Sequence, residues 1–152
     1  MKKTVKILIL FIIVVISGCT KDIIPNSGYS CFTPPERFLF EIVDKTTGIN
    51  LFTLGTFQSN QISITDLATN TKVPFTFISE NGINIISIDK IGWKTEKVNY
   101  LVTIQEKPIF GLYVDPTRIS STCSYTKYNE ILIKNAEFEL NKTSGIYRIL
   151  VP

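Results

Sequence analysis

The chain of 152 residues contains no histidine. That absence removes Ser-His-Asp and Cys-His catalysis, histidine-ligated zinc and the usual pH switch, because each needs an imidazole that titrates or coordinates near neutrality. Its eight glycines stand singly, so no glycine-rich loop can cradle a phosphate. Its three cysteines, Cys19, Cys31 and Cys123, form no Cys-x-x-Cys pair, which argues against a redox-active or metal-ligating thiol motif. Aspartates Asp44, Asp66, Asp89 and Asp115 never fall in an Asp-x-Asp-x-Asp run, so no calcium loop is written. Neither a metal nor a cofactor is expected. One tryptophan, Trp93, serves the whole chain. The apolar stretch Ile7 to Ile16 is about ten residues long, and at roughly 15 Å as a helix it falls well short of a ~30 Å hydrocarbon core.

What is present at the start is a leader. Lys2, Lys3 and Lys6 precede the apolar run, and Ser17 and Gly18 precede Cys19, the charge, length and flank of a secretory signal peptide over 1–18. Ile16-Ser17-Gly18-Cys19 resembles the lipobox of bacterial lipoproteins. That resemblance implies cleavage before Cys19, acylation of its thiol, and lipid anchoring in the cell envelope. Of the 16 basic residues three lie in the leader, leaving 13 against 13 acidic ones. The mature chain is therefore formally neutral, and with no basic cluster to displace counterions from phosphate it is not expected to bind nucleic acid.

Residues Thr20 to Glu36 are rich in Pro, Ser, Thr and Gly and end in Pro34-Pro35-Glu36. They read as a flexible tether spanning at most roughly 55–60 Å. Thr20-Lys21-Asp22 resembles the lysine-and-acid export signal of Bacteroidetes surface lipoproteins, which implies the outer membrane and leaves open which face. The chain as a whole resembles small Bacteroidetes lipoproteins without an established activity.

From residue 37 to 152 apolar and polar residues alternate over short stretches between turn residues, the period of half-buried strands. Strands are expected at 38–43, 51–53, 61–66, 72–79, 83–89, 96–106, 109–115, 125–133, 136–140 and 146–151. Inward sets include Phe38, Phe40 and Ile42; Val98, Tyr100, Val102 and Ile104; and Ala136, Phe138 and Leu140. Pro74 cannot donate to a ladder, so its strand lies at an edge or begins after it. One all-β domain is expected, an antiparallel β-sandwich of Ig-like or transthyretin-like form, with a small β-barrel as second choice. Phe40 to Ile49 and Phe138 to Ile146 are alike apart from one inserted residue, a likeness assigned to common turn chemistry rather than a tandem repeat. Asp44 and Gly48, followed by Ser79-Glu80-Asn81-Gly82-Ile83, resemble the opening hairpin and middle turn of carboxypeptidase-regulatory-like, transthyretin-type sandwiches.

With Cys19 acylated, Cys31 and Cys123 form an even pair in an exported chain and are expected to be disulfide-bonded. Glu41, Glu137 and Glu139 read as outward-facing strand carboxylates. Trp93, Tyr125 and Tyr128 are the candidate binding surface, with Tyr113, Tyr147 and the loops Leu67 to Thr71 and Asp115 to Ser124 beside them, because aromatic rings offer broad contact area at low entropic cost. The functional expectation is a membrane-anchored, non-catalytic binding or assembly module with an envelope protein or glycan as partner. The alternative is a small carboxylate- or metal-dependent envelope enzyme.

Overall fold

The computed structural model describes residues 31–80 and 82–152, so the leader, Cys19, most of the tether and Asn81 lie outside the described residues. Among the described residues no helix is long and apolar enough to cross a membrane. Eleven strands follow one another among the described residues: β1 (Cys31–Phe32), β2 (Phe38–Asp44), β3 (Ile62–Asp66), β4 (Thr71–Lys72), β5 (Thr76–Glu80), β6 (Ile83–Ile88), β7 (Val98–Ile104), β8 (Lys107–Ile119), β9 (Cys123–Lys134), β10 (Glu137–Asn141) and β11 (Ile146–Val151). They build a six-stranded sheet in the order β1-β9-β8-β7-β3-β4 and a five-stranded sheet in the order β10-β11-β2-β6-β5. The architecture is an all-β sandwich, and its two sheets do not close into one barrel.

Alternation places the core. In β7, Val98, Tyr100, Val102 and Ile104 are buried while the residues between them are half-buried, as a pleat with one face against a second sheet requires. Phe40 of β2 meets Phe110 of β8 with ring centroids 4.8 Å apart, joining the sheets at the centre. Ile42, Ile86, Ile88, Leu112, Val114 and Ile149 surround that contact. Each such side chain contributes roughly 1.5–3 kcal/mol on full burial.

Most pairs are antiparallel, but β11 runs parallel to β2, and β1 parallel to β9. The likeness of the two stretches noted above lies in the turns that end β2 and β10. In each, a side-chain oxygen at the strand end accepts two backbone N–H groups: Asp44 Oδ1 from Thr46 and Thr47, and Asn141 Oδ1 from Thr143 and Ser144. In each, the same residue's carbonyl accepts the N–H of a glycine at positive φ, Gly48 or Gly145. β2 and β10, separated in the sheet by β11, enter equivalent turns because the local chemistry is the same.

Several expected boundaries move. Residues 51–53 form a turn rather than a strand, because Asn50 Oδ1 accepts the N–H groups of Phe52 and Thr53 while its amide donates to the Asn84 carbonyl. That turn seats Leu51 in the core and places Phe52 against Phe77. The expected strand at 72–79 breaks at Val73-Pro74-Phe75 into β4 and β5, which edge opposite sheets. The segment Asp115 to Ser124, expected to be a loop, is mostly strand: β8 continues to Ile119 and β9 starts at Cys123. Pro116, which has no N–H, coincides with a register shift that lets the ladder resume. Phe138 and Leu140 do share a face with buried Ile149 and half-buried Tyr147. They are nonetheless 44% and 43% exposed, because β10 is an edge strand beyond the cover of the opposite sheet. Ala136 lies just before β10 and is half-buried.

Candidate binding surface at the disulfide-tied end

Beyond Val114, β8 has β9 as its only strand partner, so the two continue as a ribbon that closes through Ser120 to Thr122. Cys31 and Cys123 are disulfide-bonded directly across the β1–β9 register, with Cα atoms 4.4 Å apart. The Thr33 N–H donates to the Ser124 carbonyl at 2.8 Å. The segment entering the domain is thereby laid along the ribbon before it turns into β2.

Arg118 holds the centre of this end. Its Nη1 donates to the Thr33 carbonyl and to Thr126 Oγ1, both at 2.9 Å, and Thr126 Oγ1 in turn donates to the Gly92 carbonyl at 2.8 Å. The guanidinium lies 5.1 Å from the Phe32 ring centroid, within cation–π range. Phe32 stacks on Trp93 with centroids 6.0 Å apart and planes 29° from parallel. Trp93 Nε1 donates to the Asp89 carbonyl at 2.9 Å, which fixes the indole orientation. Phe32 is 56% exposed, Trp93 50% and Tyr125 46%. Phe32 and Trp93 are held in place by these contacts yet leave about half their area uncovered. A groove of about 460 Å³ adjoins Trp93, lined by Lys90, Ile91, Gly92, Lys94, Glu96, Val98 and Tyr100. Among the described residues Lys90, Lys94 and Glu96 have no ion-pair partner. Burial, with the carboxylates of Asp66 and Glu96 adding to it, raises the Tyr100 phenol above its ordinary value.

The expected aromatic surface is thus brought together only in part. Trp93 and Tyr125 are exposed at this end, whereas Tyr128 is half-buried: its ring packs edge-on against Phe38 at 5.6 Å, and its hydroxyl accepts the Glu36 N–H at 3.0 Å. Burial raises its phenol pKa. Tyr147 is half-buried between Phe40 and Phe138, and Tyr113 lies under the Lys134 ammonium. Phe32 and Arg118 are the residues that sequence reading missed. A signal for Phe32 was its place beside Cys31; for Arg118 there was none before the β8–β9 register was known.

The carboxylates are spread over separate structural tasks. Arg148 bridges Glu41 and Glu139, Lys45 pairs with Glu137, and Lys97 with Asp115. Hydrogen bonding to Asp115 raises the Lys97 pKa. Asp44 is held below the ordinary carboxylate range chiefly by the Thr47 N–H, then by the Thr47 hydroxyl. Asp66 accepts the Ala68 N–H within the Leu67 to Thr71 turn, and Asp89 accepts the Ser87 hydroxyl. Among the described residues no three His, Cys, Asp or Glu side chains converge as metal ligands would.

Gly92 is required by both conformation and space. Its φ is +88°, and a Cβ there would lie 2.9 Å from Thr126 Cγ2 and from Tyr128 Oη, and 3.2 Å from Pro35 Cβ. Gly55 has a similar φ of +75° with nothing nearby, so it isolates the conformational cost. Gly55→Ala is expected to lower stability by about 1 kcal/mol and Gly92→Ala by about 2–3 kcal/mol, the difference being overpacking. Urea unfolding of both variants measures it. Equal losses would show that the contacts around Gly92 give way without cost.

Compared with known proteins, the chain matches no family model, no curated sequence and no solved structure.

Proposed function

We propose that this chain is a lipid-anchored, non-catalytic binding module of the bacterial cell envelope, held at the outer membrane through acylated Cys19. The observation that carries the binding reading is the Arg118–Phe32–Trp93 stack, in which Trp93 is fixed by one hydrogen bond and Phe32 by a cation–π contact, yet both rings remain half exposed. Rigid, partly uncovered aromatic side chains are the usual anchors of recognition surfaces, since little rotamer freedom is lost when they are covered. The same rings lie beside Cys31, where the described chain begins and which Cys123 ties to the ribbon. The pairing of Glu41, Glu137, Glu139 and Asp115 with cations supports binding over acid–base chemistry, which uses carboxylates poised in one cleft. An envelope protein or glycan remains the partner class for the exposed loops and sheet edges.

The anchor is tested by comparing the wild type with Cys19→Ala in a host that processes lipoproteins. Wild-type protein is expected in the membrane fraction, with a mature N-terminal peptide carrying acyl mass, and its processing is expected to stop under globomycin. Cys19→Ala is expected as uncleaved precursor or released protein. An unmodified mature terminus on the wild type overturns the anchor.

A further inference from the structure

We propose that the tip of the β8–β9 ribbon, with Phe32, Trp93 and Tyr125, docks on the lipid bilayer that carries the anchor, seating these three rings at the headgroup boundary. The inference rests on the lipid-anchor reading above and names the partner of the same surface.

Three observations converge on this end. The first is its composition. Phe32 pairs with Ser124 across the register and Trp93 stacks on Phe32, while Tyr125, the next residue, projects from the other face of the strand, so exposed rings flank both faces of the closed end of the ribbon. No Asp, Glu, Lys or Arg occurs from Ile119 to Thr126 or from Cys31 to Pro35. The full charge at this end is Arg118, whose guanidinium already donates to Thr33 and Thr126 and lies against Phe32, while indole and phenol rings favour a headgroup layer because one part is apolar and the other polar. The contrast is with Phe138 and Leu140, also exposed, which alternate with Glu137 and Glu139 on β10. Carboxylates interleaved in that way oppose contact with lipid.

The second observation is charge beside the tip. Lys90 and Lys94 outnumber Glu96 around the groove next to Trp93, and among the described residues neither lysine is paired. Arg118 is already committed to Thr33 and Thr126. Exposed lysines beside interfacial aromatics attract anionic headgroups.

The third is reach. From Cys19 to Cys31 there are twelve peptide links, a contour of at most about 43 Å. The disulfide fixes the point where that length meets the domain at the ribbon tip. An acylated Cys19 therefore keeps this end close to the bilayer, and a contact too weak to hold a free protein becomes intramolecular in effect.

The experiment uses the intact acylated protein purified from membranes and reconstituted into vesicles of phosphatidylethanolamine and phosphatidylglycerol, with or without brominated acyl chains. Trp93 is the chain's single tryptophan, so its emission reports this site alone. Emission is expected to shift to the blue in vesicles and to be quenched roughly twofold by brominated chains, as for an indole at the headgroup–acyl boundary. Tyr125→Asp, which places a carboxylate on the tip without removing the reporter, is expected to abolish most of the quenching while the protein still floats with the vesicles. Flotation without quenching in the wild type overturns docking and leaves the anchor standing. Failure to float overturns the anchor and docking with it. A Trp93 shift produced by soluble envelope glycan but not by vesicles assigns the surface to a saccharide and overturns the lipid proposal.

Discussion

Replacing both bridged cysteines, Cys31→Ser with Cys123→Ser, is expected to lower the unfolding free energy by about 4–5 kcal/mol, a third or more of the stability of an ordinary domain. The bridge closes a loop of 92 positions, and in the chain-entropy model the benefit grows with the logarithm of that length because the unfolded chain loses the most freedom when distant points are tied. The folded side adds a local effect. β1 is two residues long and pairs with β9 alone among the described strands, so without the bridge Cys31 and Phe32 are held beside the ribbon by that short ladder and by the contacts of the Phe32 ring with Arg118 and Trp93. Urea unfolding of the oxidised protein and the double variant gives the difference. Trp93 emission is expected to move to the red in the variant as Phe32 leaves its ring. In the oxidised protein Cys31 and Cys123 should resist alkylation until reduced. A loss below about 1 kcal/mol would mean that the hydrogen bonds of Thr33 and Glu36 already restrain this segment, and that the cross-link adds little to them.

Phe40→Ala is expected to cost about 3–5 kcal/mol, whereas Phe138→Ala should cost about 1 kcal/mol or less. Both are phenylalanines on inward-facing strand positions, but they differ in what covers them. Phe40 is fully buried, 4.8 Å from Phe110 in the facing sheet and 5.6 Å from Tyr147 in the neighbouring strand. Truncation there leaves a cavity between two sheets whose backbones are fixed by ladders on both sides, so the site cannot collapse. Phe138 touches Tyr147 at 6.0 Å but is open to solvent at the edge, and truncation there exposes little that water does not already reach. Equilibrium unfolding of the two variants checks the ratio. Similar losses would mean that β10 is packed against something that shields it.

That comparison marks where sequence reading stops. Alternation at Phe38, Phe40 and Ile42 and at Val98 to Ile104 correctly places those side chains on one face, because a strand has a period of two whatever it pairs with. The same rule gives Phe138 and Leu140 the right face and the wrong burial, because depth depends on whether another sheet lies opposite. Pro74, lacking an N–H, sets its strand at an edge or after itself, and β5 does begin at Thr76 on a sheet edge, but that Thr71–Lys72 would edge the other sheet was not legible. Residues 51–53 carry an apolar pattern too short to decide between strand and turn. Their turn depends on Asn50, whose amide reaches the Asn84 carbonyl 34 positions away.

The sequence by itself determined an all-β domain, its main turns and the pairing of Cys31 with Cys123. Each follows from local rules: side-chain period, the φ freedom of glycine, the oxygen of Asp or Asn at a strand end, and, for the cysteines, the expectation that Cys19 is taken by an anchor and leaves an even pair. Only the tertiary structure decided that β11 lies parallel to β2, that β8 and β9 run on as a ribbon through the expected loop, and that Tyr128 is occupied by Glu36. It alone brought Arg118, Phe32 and Trp93 into one stack from positions as much as 86 residues apart. The physical reason is that neighbours across sheets and along a disulfide-tied segment are chosen by chain closure and packing at long range, and alternation along a strand carries a face but no address.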